Sequence, residues 1–320
     1  MEKVTVVLPF HRNEDIFLNE AIKSVLNSSG VDIELILVDN RVKSSELNIY
    51  KDDRITTLRN KVPGYGLSLN MGIALASSKW VALMNSDDLV LKDKLFSQVE
   101  LMKLENTDLC ITGMQKFGRW AKVNLTGDQP RSGYSPYLLF LGAYGANATL
   151  MFNSEKIPNM KFSREFHADW ILGMEYYFDH SISYINKPKY LYRTHVGQIT
   201  HKLTDLHNDL YSFYSKAFLK QIGLAIAEKE MKALAFPYSD IHYFSSREKD
   251  LLLEKFKQLR KMIQNEEIQI NQLDRILYRR AIGILKNTHD FLFFLRLTKE
   301  LSIGHLEFLR FLWEYCTTFI

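Results

Sequence analysis

Three amide or carboxylate side chains follow one apolar segment in the first third of the chain. Asn85, Asp87 and Asp88 come directly after residues 80–84, a run that is typical of a buried strand in a parallel sheet. Neighbouring carboxylates repel one another unless a positive charge lies between them. Sets of oxygen ligands suit Mg²⁺ or Mn²⁺. The spacing therefore predicts a divalent-metal site at the carboxyl end of this strand, where open α/β sheets bind their ligands.

The same residues fit a second interpretation, an ordinary turn from a strand to a helix. Leu95, Phe96, Val99 and Met102 follow at helical spacing, and an Asp before a helix commonly serves as its N-cap. The residues of this stretch alone leave both interpretations open.

The rest of the first 90 residues alternates buried-strand patterns with helical ones. Residues 4–10, 34–38 and 55–58 are apolar or strand-forming runs. An amphipathic segment separates the first two runs, and a small-residue segment at 67–76 separates the third from the run at 80–84. This order predicts an α/β fold with a mostly parallel central sheet and right-handed crossovers. Because Asp39 and Asn60 also follow predicted strands, a ligand crevice is expected at the carboxyl ends.

The glycine pattern excludes two kinds of nucleotide site. Neither GxGxxG nor GxxxxGK[ST] follows the first predicted strand, which ends in Pro9 and Phe10. A nucleotide held at this sheet would need another means of neutralising its phosphates, and a cation at residues 85–87 would provide one.

Three segments together resemble the family 2 glycosyltransferases of the GT-A fold, and in particular bacterial enzymes that build capsule, lipooligosaccharide or O-antigen sugars. The segments are VTVVLPF at 4–10, LILVDN at 35–40 and GLSLNMGIALASSKWVALMNSDD at 66–88. The likeness covers roughly residues 1–200. The resemblance implies a Rossmann-like GT-A domain with flanking helices, a nucleotide-sugar donor with UDP-sugars favoured, Mn²⁺ or Mg²⁺ on a DxD motif, and inversion at the anomeric carbon.

The resemblance also assigns roles by position. Asp87 matches the last Asp of the DxD motif and is expected to bind the metal. Nucleotide-sugar binding is expected at Pro9, Phe10, Asp39, Asn60, Asn70, Asn85 and Ser86.

Two departures from the family pattern stand out. Asn85 replaces the first Asp of DxD, and Asn40-Arg41 follows Asp39 where the family more often has Asp-Gly-Ser. An asparagine offers a neutral carbonyl oxygen, so it either weakens the metal site or contacts the ribose.

Two later motifs complete the expected active site. Asp169 precedes apolar residues at helical spacing and resembles the Asp that opens a helix and acts as the catalytic base in this family, although a helix N-cap explains it equally simply. The segment from Tyr190 to His195, with Arg193 between them, resembles the family's Tyr-Arg-x-His sequence, whose His reaches the metal or the diphosphate. His195 is thus expected to be the second metal ligand.

Length and composition bound the remaining expectations. The 320 residues predict a catalytic domain at 1–200, with nucleotide-sugar binding at about 1–115 and the acceptor side at about 116–200, followed by a helical accessory domain at 201–320. A net charge of +4 gives no reason to expect a nucleic-acid partner. Two cysteines without metal-type spacing, and no apolar run of 18 residues, predict a cytoplasmic protein.

The apolar C-terminal region, with Arg296, Lys299 and Arg310 interleaved, fits either peripheral contact with the inner face of the cytoplasmic membrane or a homodimer interface. The predicted function is an inverting, metal-dependent transfer of sugar from a nucleotide-sugar to a saccharide or lipid-linked saccharide acceptor in bacterial surface-glycan synthesis. A non-catalytic glycan- or nucleotide-binding protein on the same scaffold is the first alternative. A sugar-nucleotidyltransferase is the second, although residues 9–13 lack the glycine-rich basic signature it would need.

Overall fold

The computed structural model describes residues 1–11, 15–41, 49–62, 64–118, 147–162, 176, 180–195, 216, 219–220, 223–224, 245–264, 277 and 291–300. They belong to two compact units. One spans Met1–Gly133 and Tyr144–Lys202, and the other spans Tyr134–Ala143 and Leu203–Ile320.

The described part of the first unit combines strands with helices. Its elements are β1 (Glu2–Phe10), α1 (Asp15–Leu26), β2 (Val31–Asp39), β3 (Ile55–Arg59), α2 (Tyr65–Leu75), β4 (Trp80–Leu83), β5 (Leu89–Val90), α3 (Lys94–Glu105), β6 (Leu109–Gly118), a 3-10 turn (Asn147–Thr149), β7 (Leu150–Asn153) and β8 (Ile182–Thr194).

These strands form one sheet in the order β3-β2-β1-β4-β7-β6-β8-β5. β1 runs parallel to β2 and β4, and β2 runs parallel to β3. β7 is antiparallel to both β4 and β6, β8 is parallel to β6, and β5 is antiparallel to β8. The predicted α/β fold with a mostly parallel central sheet is confirmed, since the four strands expected before residue 90 form its parallel half.

The central strand β1 is buried on both faces because helices cover both sides of the sheet. Val6 and Leu8 point into the core that contains α1 and α3, whereas Val7 points into the core beneath α2. α2 lies so close to β1 that a Cβ atom at Gly72 would stand 2.3 Å from Val7 Cγ1. Glycine at position 72 therefore permits the approach that brings α2 onto the sheet.

The register aligns the carboxyl ends of the parallel strands. Phe10 lies opposite Asp39, and Asp39 lies opposite Arg59. Leu83 at the end of β4 lies opposite Val7, so the residues after β4 continue along the same edge. The expected crevice edge is thus lined by side chains from three different parts of the sequence.

The described part of the second unit contains two α-helices, α4 (Ser246–Gln264) and α5 (Phe291–Glu300). Both helices have a buried apolar face; its members are Leu252, Leu253, Phe256, Leu259, Phe293, Phe294 and Leu297. Ion pairs join the helices between Arg296 and Asp250 and between Lys257 and Glu300. Across the described residues, no helix has the length and apolar character needed to cross a membrane.

Candidate active site

The structure brings the two predicted metal ligands together. Asp87 lies in the loop between β4 and β5, and His195 directly follows β8. His195 Nε2 is 2.9 Å from Asp87 Oδ2, although the residues are 108 positions apart in the sequence. Both side chains are partly accessible, with exposed fractions of 16% for His195 and 31% for Asp87. An incoming ligand can therefore reach this pair.

The loop after β4 is not a helix cap. Helix α3 begins at Lys94 with Asp93 as its N-cap, and strand β5 separates that helix from Asp87 and Asp88. The interpretation of this stretch as an ordinary strand-to-helix turn capped by its first acids is thereby excluded.

The Asp87–His195 pair fits a divalent cation shared with a substrate. Two adjacent ligands of an octahedral ion with bonds of about 2.1 Å lie about 3 Å apart, which matches the observed separation. The described residues contain no group of three or more His, Cys, Asp or Glu side chains arranged to hold a metal. Mg²⁺ commonly binds through one or two carboxylates together with substrate phosphates, so the Asp87 carboxylate with one further protein ligand is chemically sufficient.

Asp88 is fully buried behind this pair and receives three hydrogen bonds. Tyr190 donates its hydroxyl to Oδ2 at 2.5 Å, Asn85 Nδ2 donates to Oδ2 at 3.0 Å, and the backbone N–H of Arg193 donates to Oδ1 at 2.7 Å. Burial, followed by the neighbouring Asp87 carboxylate, raises the pKa of Asp88 above its usual range despite these donors. Asp88 therefore acts as an internal connection between the loop and β8.

Asn85 takes part in the same network through both ends of its amide. Its Nδ2 donates to Asp88, and its Oδ1 accepts a hydrogen bond of 2.9 Å from the Tyr65 hydroxyl, which in turn accepts from Asn147 Nδ2 at 2.7 Å. Ser86 lies half-buried in the turn that follows. The network accounts for the departure from DxD, because an aspartate at position 85 would place a second carboxylate against buried Asp88.

Changing Asn85→Asp, which restores the family motif, should lower the free energy of unfolding by about 1–3 kcal/mol in the absence of metal. The new carboxylate cannot donate to Asp88 and repels it. Urea denaturation in EDTA measures the change, with Asn159→Asp as a control that adds the same charge at an exposed position. An N85D protein as stable as the control would show that the amide donation is dispensable.

Asp39 stands at the end of β2 as predicted, but two arginines hold its carboxylate. Arg41 binds both oxygens through Nε and a terminal nitrogen, each at 2.9 Å, and Arg59 adds a bond of 2.5 Å. Although burial opposes ionisation, the Arg41 and Arg59 hydrogen bonds lower the pKa of Asp39. The Arg41 guanidinium lies 5.6 Å from the ring centre of buried Phe10, beside Pro9. Arg41, which belongs to the second departure from the family pattern, is thus the ion-pair partner of Asp39.

The two predicted asparagines beyond β3 hydrogen-bond to the protein itself. Asn60 donates to Ser68 Oγ at 3.0 Å and accepts from the backbone of Val62 at 3.1 Å, which shapes the turn before α2. Asn70 pairs its amide with the backbone of Phe162, donating at 2.9 Å and accepting at 2.8 Å. A direct contact of Asn60 or Asn70 with the nucleotide-sugar remains a prediction.

Asp169, the predicted catalytic base, lies outside the described residues, and so does most of the predicted acceptor side. The sequence analysis assigned no role to five residues that the geometry places at the site: Arg41, Arg59, Tyr65, Asn147 and Arg193. Arg193 could have been found from the Tyr-Arg-x-His segment, whereas Tyr65 and Asn147 had no local signal.

The fold defines the class of protein as a GT-A domain, and the Asp87–His195 pair lies after the carboxyl ends of β4 and β8. The crystal structure titled "S. aureus TarS 1-349 in complex with UDP-GlcNAc" superposes with a TM-score of 0.55 at 12% identity, covering 94% of this chain and 92% of that one. At this identity the similarity shows the fold alone, and it agrees with the predicted GT-A fold.

Sequence comparison matches part of the chain to a family. Residues 5–140 match Glycosyl transferase family 2. An uncharacterized glycosyltransferase of Haemophilus influenzae is 29% identical over 188 residues, which are 55% of this chain and 72% of that protein. The Campylobacter jejuni GalNAc(5)-diNAcBac-PP-undecaprenol beta-1,3-glucosyltransferase is 27% identical over 208 residues, covering 60% of this chain and 65% of that protein. An uncharacterized glycosyltransferase of Rickettsia felis is 34% identical over 124 residues, covering 38% of this chain.

Residues 5–140 match the family 2 glycosyltransferases, and the predicted resemblance is confirmed over that part of the chain. The coverage of the relatives differs widely. The chain spans a fifth of the length of the Rickettsia felis protein (20%) and about two thirds of the Campylobacter protein (65%).

Proposed function

We propose that the protein is an inverting, metal-dependent glycosyltransferase that moves a sugar from a nucleotide-sugar to a saccharide or lipid-linked saccharide acceptor in bacterial surface-glycan synthesis. The contact between Asp87 and His195 at the carboxyl end of β4 is the observation that carries this proposal. It places one carboxylate and one imidazole at cis-ligand spacing on the sheet edge where α/β proteins bind ligands.

Asp87 and His195 would hold Mn²⁺ or Mg²⁺, which offsets the charge that develops on a leaving nucleoside diphosphate. The base and ribose belong on the neighbouring strand ends, where Phe10, Asp39 and the two arginines line one side. Asp169 would accept the proton of the attacking acceptor hydroxyl. Attack on the face opposite the leaving diphosphate inverts the anomeric carbon.

The relatives support the proposed donor and acceptor classes. TarS shares the fold and has been crystallised with UDP-GlcNAc, which favours a UDP-sugar donor. The name of the Campylobacter protein specifies an undecaprenol-linked saccharide acceptor, which favours a lipid-linked acceptor here. Such an acceptor would place the enzyme at the inner face of the cytoplasmic membrane. Exposed Phe291 and Leu292 on α5 support either membrane contact or pairing of two copies, which sedimentation with vesicles distinguishes.

Thermal unfolding with UDP, GDP, CMP and their common sugar conjugates tests the proposal, with each ligand measured in Mn²⁺ and in EDTA. A ligand at 100 times its dissociation constant should stabilise the fold by about 2.7 kcal/mol. We expect a shift for uridine nucleotides that is larger in Mn²⁺, and we expect Asp87→Asn to remove the Mn²⁺-dependent part.

Other outcomes have distinct meanings. A shift with one nucleotide that ignores the metal would reject metal dependence while leaving nucleotide binding. Stabilisation by Mn²⁺ and UDP without any sugar transfer would favour the non-catalytic binding protein. The absence of a shift with every nucleotide would contradict the proposal as a whole.

A further inference from the structure

Asp88 ties the end of β8 to the loop that carries Asp87. Its Oδ1 accepts the backbone N–H of Arg193 at 2.7 Å, and its Oδ2 accepts the Tyr190 hydroxyl at 2.5 Å. Because Asp88 is completely buried, these bonds do not compete with water. The backbone two residues before His195 is therefore fixed relative to Asp87.

The Arg193 side chain makes a second connection across the same point. Its Nε donates to the backbone oxygen of Asp87 at 2.7 Å, and a terminal nitrogen pairs with Glu20 on α1 at 2.5 Å. The guanidinium lies between two aromatic rings, 4.4 Å from the centre of Phe17 and 4.6 Å from the centre of Phe117. A planar, five-donor group is needed to fill this position, and lysine cannot replace it.

The same surroundings orient the imidazole. The His195 ring lies 5.3 Å from the Phe17 ring, which also stacks on Arg193. Arg193 is largely buried, with 13% of its side chain exposed, so it is held in one arrangement. Helix α1, the Asp87 loop, β6 and β8 thus meet at one guanidinium.

We propose that Arg193, anchored by Asp88, is a positioning residue that holds His195 and Asp87 at metal-ligand spacing before the donor arrives. This inference rests on the proposed function, because it assigns the residues that prepare its metal site. A ligand pair fixed in advance loses less conformational entropy on binding, so the metal binds more tightly. Outer-shell residues of this kind typically contribute 10- to 100-fold in metal affinity.

Changing Arg193→Lys tests the inference because it keeps the charge and removes the planar fork. The first readout is the dissociation constant of Mn²⁺ from the free protein, measured by electron paramagnetic resonance. The second is the Mn²⁺ concentration that gives half of the UDP-dependent thermal stabilisation. We expect both Mn²⁺ constants to rise by about 10-fold or more. Arg54→Lys is the matched control, since Arg54 makes a similar fork to Asp52 and to the Leu26 backbone oxygen outside the site.

The outcomes separate positioning from general stability. If R193K lowers the melting temperature but leaves both Mn²⁺ constants equal to those of R54K, the inference is wrong and Arg193 only stabilises the fold. If R193K fails to fold, Glu20→Gln is the second variant. It removes the ion-pair partner of Arg193 at a half-exposed position, and it should raise both Mn²⁺ constants by a smaller factor. An unchanged constant in E20Q would then overturn the inference.

Failure of the proposed function gives a different pattern. A wild-type protein that binds Mn²⁺ but no nucleotide would contradict transfer from a nucleotide-sugar, and the comparison of Mn²⁺ binding in R193K and R54K would still decide the role of Arg193. A wild-type protein that binds neither Mn²⁺ nor nucleotide would overturn both.

Discussion

Replacing Lys94 with methionine should raise the free energy of unfolding at pH 7 by about 2–4 kcal/mol. Lys94 is the first residue of α3, and its side chain is completely buried. Its Nζ has no hydrogen-bond partner among the residues that the structure describes. Because a buried amine without a partner loses its hydration, burial lowers the pKa of Lys94 to about 7. Methionine is similar in length to lysine, and because it is uncharged, its burial carries no cost for desolvating a charge.

The sign of the pH dependence follows from the same lowered pKa. Between about pH 7 and 10.4 the unfolded chain holds a proton on this lysine that the folded protein has released, so stability should rise with pH. Lys94 contributes a slope of at most about 1.4 kcal/mol per pH unit, and K94M should lose this contribution. Below pH 7 both states are protonated, and the destabilisation reaches its full size.

Urea denaturation at pH 7, 8 and 9 measures both effects. Lys92→Met is the control, because Lys92 is exposed two residues earlier and loses the same charge. A K94M protein that is less stable than wild type, with the pH slope unchanged, would mean that the Lys94 ammonium is stabilised within the fold. Gln98 Oε1 and Thr112 Oγ1 are also buried without partners in the described structure. A buried water between such groups would provide that stabilisation.

Local patterns predicted the first half of the sheet correctly. Apolar runs that end in Phe10, Asp39 and Leu83 are signals within a few residues, and parallel pairing follows once helices separate the strands. Such patterns did not predict β5 and β8, since Leu89 pairs with Leu191 across about a hundred residues. Register over that distance depends on packing that no short stretch encodes.

The site divides in the same way. Asp87 and His195 could be chosen as candidate ligands because both lie in motifs with a fixed local spacing. The structure places the two side chains in contact, and their role as metal ligands stays a prediction. The partners of Asn85 and Asp39 could not be predicted. Tyr65 and Arg59 meet those side chains only after α2 and β3 are packed on the sheet. The two departures from the family pattern were visible in the sequence, but their physical cause required the tertiary structure.

Changing Asp169→Asn should reduce sugar transfer by about 10²- to 10⁴-fold and leave the affinity for the donor nucleotide nearly unchanged. An amide cannot accept the proton of the acceptor hydroxyl. Described residues on both sides of Asp169 hydrogen-bond to one another. Tyr176 donates its hydroxyl to the backbone oxygen of Asn159 and accepts from the backbone N–H of Lys161.

The segment from Asn159 to Phe162 is linked to the loop that carries Asp87 through helix α2. Asn70 holds the backbone of Phe162, and Tyr65 at the start of the same helix hydrogen-bonds to Asn85. Five helical residues separate the two anchors by about 8 Å. The segment that ends at Phe162 is thus tied to the loop that carries Asp87.

Initial rates of nucleotide release with donor and acceptor, together with calorimetric titration of the nucleotide, measure the two parts of the prediction. Asp32→Asn, at an exposed position on β2, controls for the loss of one carboxylate. Transfer retained in D169N would remove Asp169 from the mechanism. A loss of nucleotide affinity equal to the loss of rate would instead assign Asp169 to donor binding, because a general base acts only on the transition state.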